Sequence, residues 1–251
     1  MPIHAERLGK ASLITIDREE KGNSLDYEHA VELARIIRRE CENPETVAIV
    51  ITGSGERFFS TGVDLESVAE ITSVDDSIKL MGEGLGGVCK AVSSCKKPVI
   101  AAVNGHAVGI GFELVLASDL AYSVRGAKLG SPAVKWGMIP PASTTLGPLF
   151  LGYKNAAYIV LSGRLVTAEE AFRMGILNGV VDNREELLDT IEKLVEDIAS
   201  NSKWAVENAL ILLRSSRPHS HVEAGLRSLI TSAAREETRS RAKGFVKKKK
   251  K

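Results

Sequence analysis

Three stretches of the chain are apolar and β-branched along their length: ASLITID at 11–17, VAIVITGSG at 47–55 and KPVIAAVNG at 97–105. Each ends in turn residues, and runs of this kind predict strands covered on both faces, as in a parallel sheet. Between them the spacing becomes helical. Residues 26–40 (DYEHAVELARIIRRE) set Ala30, Leu33, Ala34 and Ile37 on one face, with Asp26 placed to cap the start. Residues 75–93 predict a second helix, weakened by glycines 82, 84, 86 and 87. Strand–helix alternation predicts an α/β core with parallel pairing. From about residue 183 the strand signals stop. Residues 184–199, 203–214 and 220–242 are amphipathic and charged, and predict a helical appendage that packs on its own core or on a neighbouring subunit. The expected organisation is a core over 1–182 and a helical region over 183–251.

Composition narrows the function classes. The chain has 251 residues, 44% hydrophobic, with 33 basic residues against 32 acidic and a net charge of +1. That balance argues against nucleic acid or a membrane as partner, except at VKKKKK (246–251), a local cationic tail. An aromatic content of 5% leaves few platforms for stacking bases. No run approaches the roughly 18 apolar residues that span a bilayer, and MPIHAERLGK lacks the apolar core of a secretion signal. Cys41, Cys89 and Cys95 are odd in number and lack CxxC spacing, so they read as free thiols in a cytoplasmic protein without a zinc site. His219-Ser220-His221, in polar surroundings, reads as a loop.

The glycine-rich stretches carry the chemistry. GEGLGG (82–87) matches GxGxxG in form. It sits inside a helical pattern, without the preceding strand and distant acid that a dinucleotide fingerprint requires, so it reads as close helix packing or a local break. RFFSTGVDLESV (57–68) and VNGHAVGIGFEL (103–114) differ: each follows a strand, bends through glycine and opens into a helical pattern. N–H groups at such junctions are unpaired, and glycine lets a ligand oxygen approach them. Two such bends facing each other would aim two donors at one oxygen. Glu113, the lone acid in the second stretch, is either a charge offsetting the positive helix start or a base beside an anion-binding bend.

These residues resemble the crotonase, or enoyl-CoA hydratase/isomerase, superfamily. The resemblance runs through GNSLD (22–26), GERFFSTGVDL (55–65), KPVIAAVNGHAVGIGFELVLASDLAYS (97–123), LSGRLVTAEEAFRMGILNGVV (161–181) and RAKGFVKKK (241–249), in that order. It implies a spiral of ββα units with a C-terminal α-helical trimerisation region, and a homotrimer or a hexamer made of paired trimers. It implies no permanently bound cofactor; the substrate is a coenzyme A thioester. Carried onto this chain, the oxyanion donors are the backbone N–H groups of Val63 and Ile110. Glu113 matches one of the two glutamates that activate water in family hydratases. Phe245 and Lys248 match positions near the CoA adenine and phosphates, on an adjacent subunit, while Lys249 to Lys251 read as solvated ends.

One family residue is missing. Ala133 stands where the second glutamate belongs, and no Asp or Glu occurs between Asp119 and Glu169 to replace it. Pro141 occupies a family glycine position and removes an N–H donor. Glu66, Glu70, Glu83, Ser131, Lys135 and Tyr122 read as surface or packing residues without a role, and Asp64 as structural. The thioester-polarising half of the site is therefore intact and the water-activating half altered. Hydration of a 2-enoyl-CoA with Glu113 as acid/base is the leading expectation. The alternatives are double-bond isomerisation, another acyl-CoA reaction such as decarboxylation or thioester hydrolysis, and a non-catalytic CoA- or RNA-binding scaffold.

Overall fold

The computed structural model describes residues 2–217 and 219–249; Lys250 and Lys251 of the predicted solvated tail lie outside the described residues. The chain opens with β1 (Ile3–Leu8), β2 (Ala11–Ile16), α1 (Tyr27–Glu42), β3 (Ala48–Gly53), β4 (Phe58–Ser60) and α2 (Leu65–Ala69). A helical stretch follows: α3 (Val74–Ser77), a π-helical segment (Ile78–Leu85) and α4 (Gly86–Ser94). Next come β5 (Val99–Val103), β6 (His106–Val108), α5 (Ile110–Ala117), β7 (Leu120–Val124) and β8 (Lys128–Gly130). The remainder of the core is α6 (Pro141–Thr145), α7 (Gly147–Phe150), α8 (Gly152–Ser162), β9 (Val166–Thr167), α9 (Ala168–Arg173) and β10 (Gly179–Val181). Four helices finish the described chain: α10 (Arg184–Ser200), α11 (Lys203–Ser215), α12 (His219–Ala233) and α13 (Glu236–Lys249).

Among the described residues the strands form two sheets, a six-stranded one in the order β1-β2-β3-β5-β7-β10 and a four-stranded one in the order β4-β6-β8-β9. The three predicted strands are β2, β3 and β5, and they pair in parallel at the centre of the larger sheet. Their uniform apolarity has two causes, one on each face. Ile14, Ile49, Ile51, Val99 and Ala101 join the main core with α1, while Leu13, Val50, Ile100 and Ala102 pack on Leu187, Ile191 and Val195 of α10. Each of those three α10 side chains is fully buried, a contribution of roughly 2 kcal/mol apiece. Asp26 caps α1 by accepting the His29 N–H at 3.0 Å.

The GEGLGG segment is helix packing. A Cβ on Gly84 would meet Tyr27 at 3.3 Å, and one on Gly86 would meet Leu226 at 2.9 Å, so these glycines let α1 and α12 approach this helical stretch. α12 and α13 close over the core through Leu229, Ala233 and Ala242. The predicted helix over 220–242 is thus two helices. His219 and His221, read from sequence as a loop, belong to the opening of α12.

The cysteines correct a second expectation. Cys41, at the end of α1, and Cys95, just beyond α4, form a disulfide with a Cα–Cα separation of 5.6 Å. Their separation of 54 positions along the chain hides a pairing that follows from the packing of α1 on α4, and the reading of three free thiols fails. Only Cys89 is free among the described cysteines. Closing a loop of this length removes chain entropy worth about 4 kcal/mol from the unfolded state. Urea unfolding with and without reductant is expected to show a stability loss of about 2–4 kcal/mol on reduction, and Cys95→Ser should reproduce it. Coincident transitions would show that the bond contributes nothing.

Candidate active site

The site grows from two glycine bends braced against each other. The first lies between β4 and α2, and GNSLD holds it in place. Thr61 N–H donates to the Gly22 carbonyl at 3.0 Å, Leu25 N–H to the Gly62 carbonyl at 2.8 Å, and Asp64 N–H to the Leu25 carbonyl at 2.9 Å. Asn23, with a positive φ of 54°, sends its side-chain amide to the Ser54 and Phe58 carbonyls. Asp64 caps α2 by accepting the Glu66 N–H at 2.9 Å, which makes it structural, as the sequence suggested.

The second bend joins β6 to α5 through Gly109, whose φ of 57° favours a residue without Cβ. The two bends nearly touch. A Cβ on Gly62 would stand 2.8 Å from the Ile110 nitrogen, and one on Gly111 would stand 2.4 Å from the Ser60 carbonyl oxygen. Val63 and Ile110, one from each bend, line a single cleft that is partly open to solvent. Among the described residues neither N–H has a protein acceptor. At Ile110 the reason is position: it is the first residue of α5, and the first α5 backbone bond is that of Glu113 N–H to the Gly109 carbonyl at 3.0 Å.

Glu113 lines the same cleft and is 1% exposed. Its carboxylate lies at the start of α6, where Oε2 accepts the N–H groups of Ala142 at 2.5 Å and Ser143 at 2.9 Å. Oε1 accepts the Ser143 hydroxyl. Burial pushes the Glu113 pKa above the usual carboxylate range, against these donors, which pull it down. Pro141 does not starve this site. It is the first residue of α6, where no intrahelical N–H is needed, and the next two N–H groups go to Glu113. Cys89 is no competing nucleophile. Burial and the Glu113 charge push its thiol up to about 12, so it keeps its proton.

The structure also sorts the weaker candidates. Ala133 faces the cleft, so the second acid is missing from the wall itself. Glu66 pairs with Lys21 at 2.9 Å, and Glu66, Glu70 and Glu83 do not line the cleft. Lys135 is exposed, and Tyr122 packs in the α10 cluster. Phe245 and Lys248 sit on α13, which packs beside α2 of the same chain; Phe245 stacks edge-on against Trp136 at 5.2 Å, and Trp136 lines the cleft. Lys248 is exposed. Sequence reasoning missed Ser143 as a partner of Glu113, because a contact across 30 residues leaves no local signal. It also dismissed Ser131, which is 1% exposed and lines the cleft.

Residues 9–250 match the family model described as enoyl-CoA hydratase/isomerase. The chain is 35% identical over 205 residues to carnitinyl-CoA dehydratase of Escherichia coli strain K12, covering 81% of this chain and 77% of that protein. A carnitinyl-CoA dehydratase of Salmonella paratyphi A shows the same identity and coverage. An enoyl-CoA hydratase/isomerase from Mycobacterium paratuberculosis superposes with a TM-score of 0.87 at 29% identity, over 97% of this chain and 98% of that one. An enoyl-CoA hydratase from Bacillus halodurans gives a TM-score of 0.88 at 25% identity, over 97% and 100%.

Proposed function

This chain belongs to the enoyl-CoA hydratase/isomerase family, and from that premise we propose that it adds water to, or removes it from, the Cα–Cβ bond of an acyl-CoA thioester. The observation that carries the reading is a single cleft shared by two unpaired N–H groups and one buried carboxylate. In the hydration direction the thioester oxygen is held by Val63 and Ile110, and the positive end of α5 adds to them as enolate charge develops. Glu113 takes a proton from water as its oxygen bonds to Cβ, then returns it to Cα. The relatives named for dehydration of carnitinyl-CoA support the same bond as the reacting centre.

Ala133 favours one further reading. A lone carboxylate that cannot share the water with a second acid still suffices to move a proton between Cα and Cγ, and so to shift a double bond. Decarboxylation of a substrate carboxylate is disfavoured. Among the described residues lining the cleft there is no Lys, Arg or His, and Glu113 would repel a second carboxylate. We further propose a homotrimer or paired trimers, because α8 and α11 leave Tyr153, Leu161, Trp204, Leu212 and Leu213 largely exposed.

The test is to supply crotonyl-CoA, 3-hydroxybutyryl-CoA and 3-enoyl-CoA and follow product formation. Interconversion of the first two is expected. Conversion of 3-enoyl-CoA alone would favour isomerisation, and binding of all three without turnover of any would refute the enzymatic reading.

A further inference from the structure

Ser131 is the first residue after β8, and its position relative to the second bend is fixed by the small sheet. Val108 pairs with Gly130, and the Gly109 N–H donates to the Gly130 carbonyl at 3.0 Å. Ser131 therefore enters the cleft directly beside the Gly109–Ile110 turn, and Pro132 after it restricts its backbone to an extended form. Its side chain is buried, it lines the cleft with Glu113 and Ala133, and its hydroxyl lies close enough to the Glu113 carboxylate to pull that group's pKa down while making no hydrogen bond of ordinary geometry within the protein. Buried hydroxyls are nearly always paired, and leaving one unmade is unfavourable. A buried hydroxyl on the cleft wall beside Glu113, with no ordinary hydrogen bond of its own, retains lone pairs that can accept from a ligand atom.

We propose that Ser131 holds the oxygen that adds to Cβ, the water of hydration or the β-hydroxyl of the product, and so supplies from the same segment the second contact that Ala133 cannot. The proposal rests on the reading above and specifies how the water half of the site works. One hydrogen of the water passes to the Glu113 carboxylate as oxygen bonds to Cβ, and the π pair moves to the thioester enolate. Glu113 then gives that proton to Cα, and the enolate pair forms the C–H bond. The second hydrogen stays on oxygen and donates to Ser131 Oγ. No proton passes through Ser131, which keeps its own.

The measurement compares binding of 3-hydroxybutyryl-CoA with that of butyryl-CoA, which lacks only the β-hydroxyl. Ser131→Ala is expected to weaken the hydroxylated ligand about fivefold or more, the effect of one lost hydrogen bond, while butyryl-CoA changes less than twofold. Exchange of the butyryl-CoA α-proton with deuterium, which needs no water at Cβ, should persist while hydration of crotonyl-CoA falls tenfold or more. Parallel weakening of both ligands would mean that Ser131 only packs the wall, and no change in either would remove it from the site; both results overturn the proposal. Ser131→Cys, similar in volume but a poor hydrogen-bonding group, reports the same ratio should the alanine protein fail to fold. A wild-type protein that binds both ligands but hydrates nothing would instead sink the hydration reading, leaving the ligand ratio to decide the Ser131 contact.

Discussion

Glu113→Gln is expected to reduce crotonyl-CoA hydration by about a thousandfold, the middle of the range for removing a general acid–base, with the protein still folded. Glutamine preserves the shape of the side chain and an oxygen to accept from the start of α6, but it cannot carry a proton between water and Cα. The pH profile separates this from a packing effect. Burial raises the Glu113 pKa above its ordinary value of 4.5, and the base form is the active one in the hydration direction. Wild-type kcat/KM should therefore rise with pH through an ionisation above the ordinary carboxylate range, and that limb should vanish in the variant. Stability follows the opposite sign. A carboxyl whose folded pKa is raised contributes its stability below the unfolded value and loses it as pH climbs through the folded one. Relative to Glu113→Gln, the wild type should lose stability over that same window. A flat kcat/KM across it, or full activity in the variant, would mean that Glu113 is a structural cap for α6 and nothing more.

The second large effect is expected at Gly111, which carries no charge and is not among the residues lining the cleft. A Cβ there would stand 2.4 Å from the Ser60 carbonyl oxygen and 2.9 Å from the Ser60 Cβ. No flexible side-chain end is available to yield, so Gly111→Ala must push the β4 bend away from the start of α5. Overpacking of this kind typically costs about 1–3 kcal/mol of stability. The activity loss should be larger than that figure suggests, because the same movement separates the Val63 and Ile110 donors. Losing one such donor is worth about 3–4 kcal/mol of barrier, or a hundredfold or more in kcat. Gly244→Ala is the control, since nothing lies within 4 Å of a Cβ there; its melting temperature and kcat should match wild type or improve slightly. Equal kcat for Gly111→Ala and wild type would show that the spacing of the two bends is not critical to the chemistry.

Local signals carried much of this architecture. The central strands announced themselves through β-branched runs because both faces of the sheet are covered, and Asp26 announced its helix because capping is a short-range interaction. GEGLGG was separable from a nucleotide loop because it lacks a preceding strand. The two bends were legible for a related reason: glycine at the turn and an apolar helix after it are adjacent in sequence. What stayed hidden depends on distant segments meeting. The Cys41–Cys95 bond follows from how α1 lies on α4, and the Ser143 hydroxyl reaches Glu113 only because α6 ends up over α5. Ser131 was passed over because a serine before a proline looks like any loop residue until the walls around it are known. The histidines before residue 222 misled because their polarity says nothing of the buried α12 residues further along.

The walls of the cleft have an implication for how affinity and selectivity are divided. Glu113 is the sole ionisable side chain among its described lining residues, whereas a coenzyme A ester brings several phosphate charges. Those charges must remain at the mouth or beyond it, so the nucleotide serves as a handle whose grip is remote from the bond being remade. The chamber then recognises its guest chiefly by rejection: an acyl tail bearing an anion would have to shed its hydration beside a fixed negative neighbour, while a neutral tail meets no such barrier.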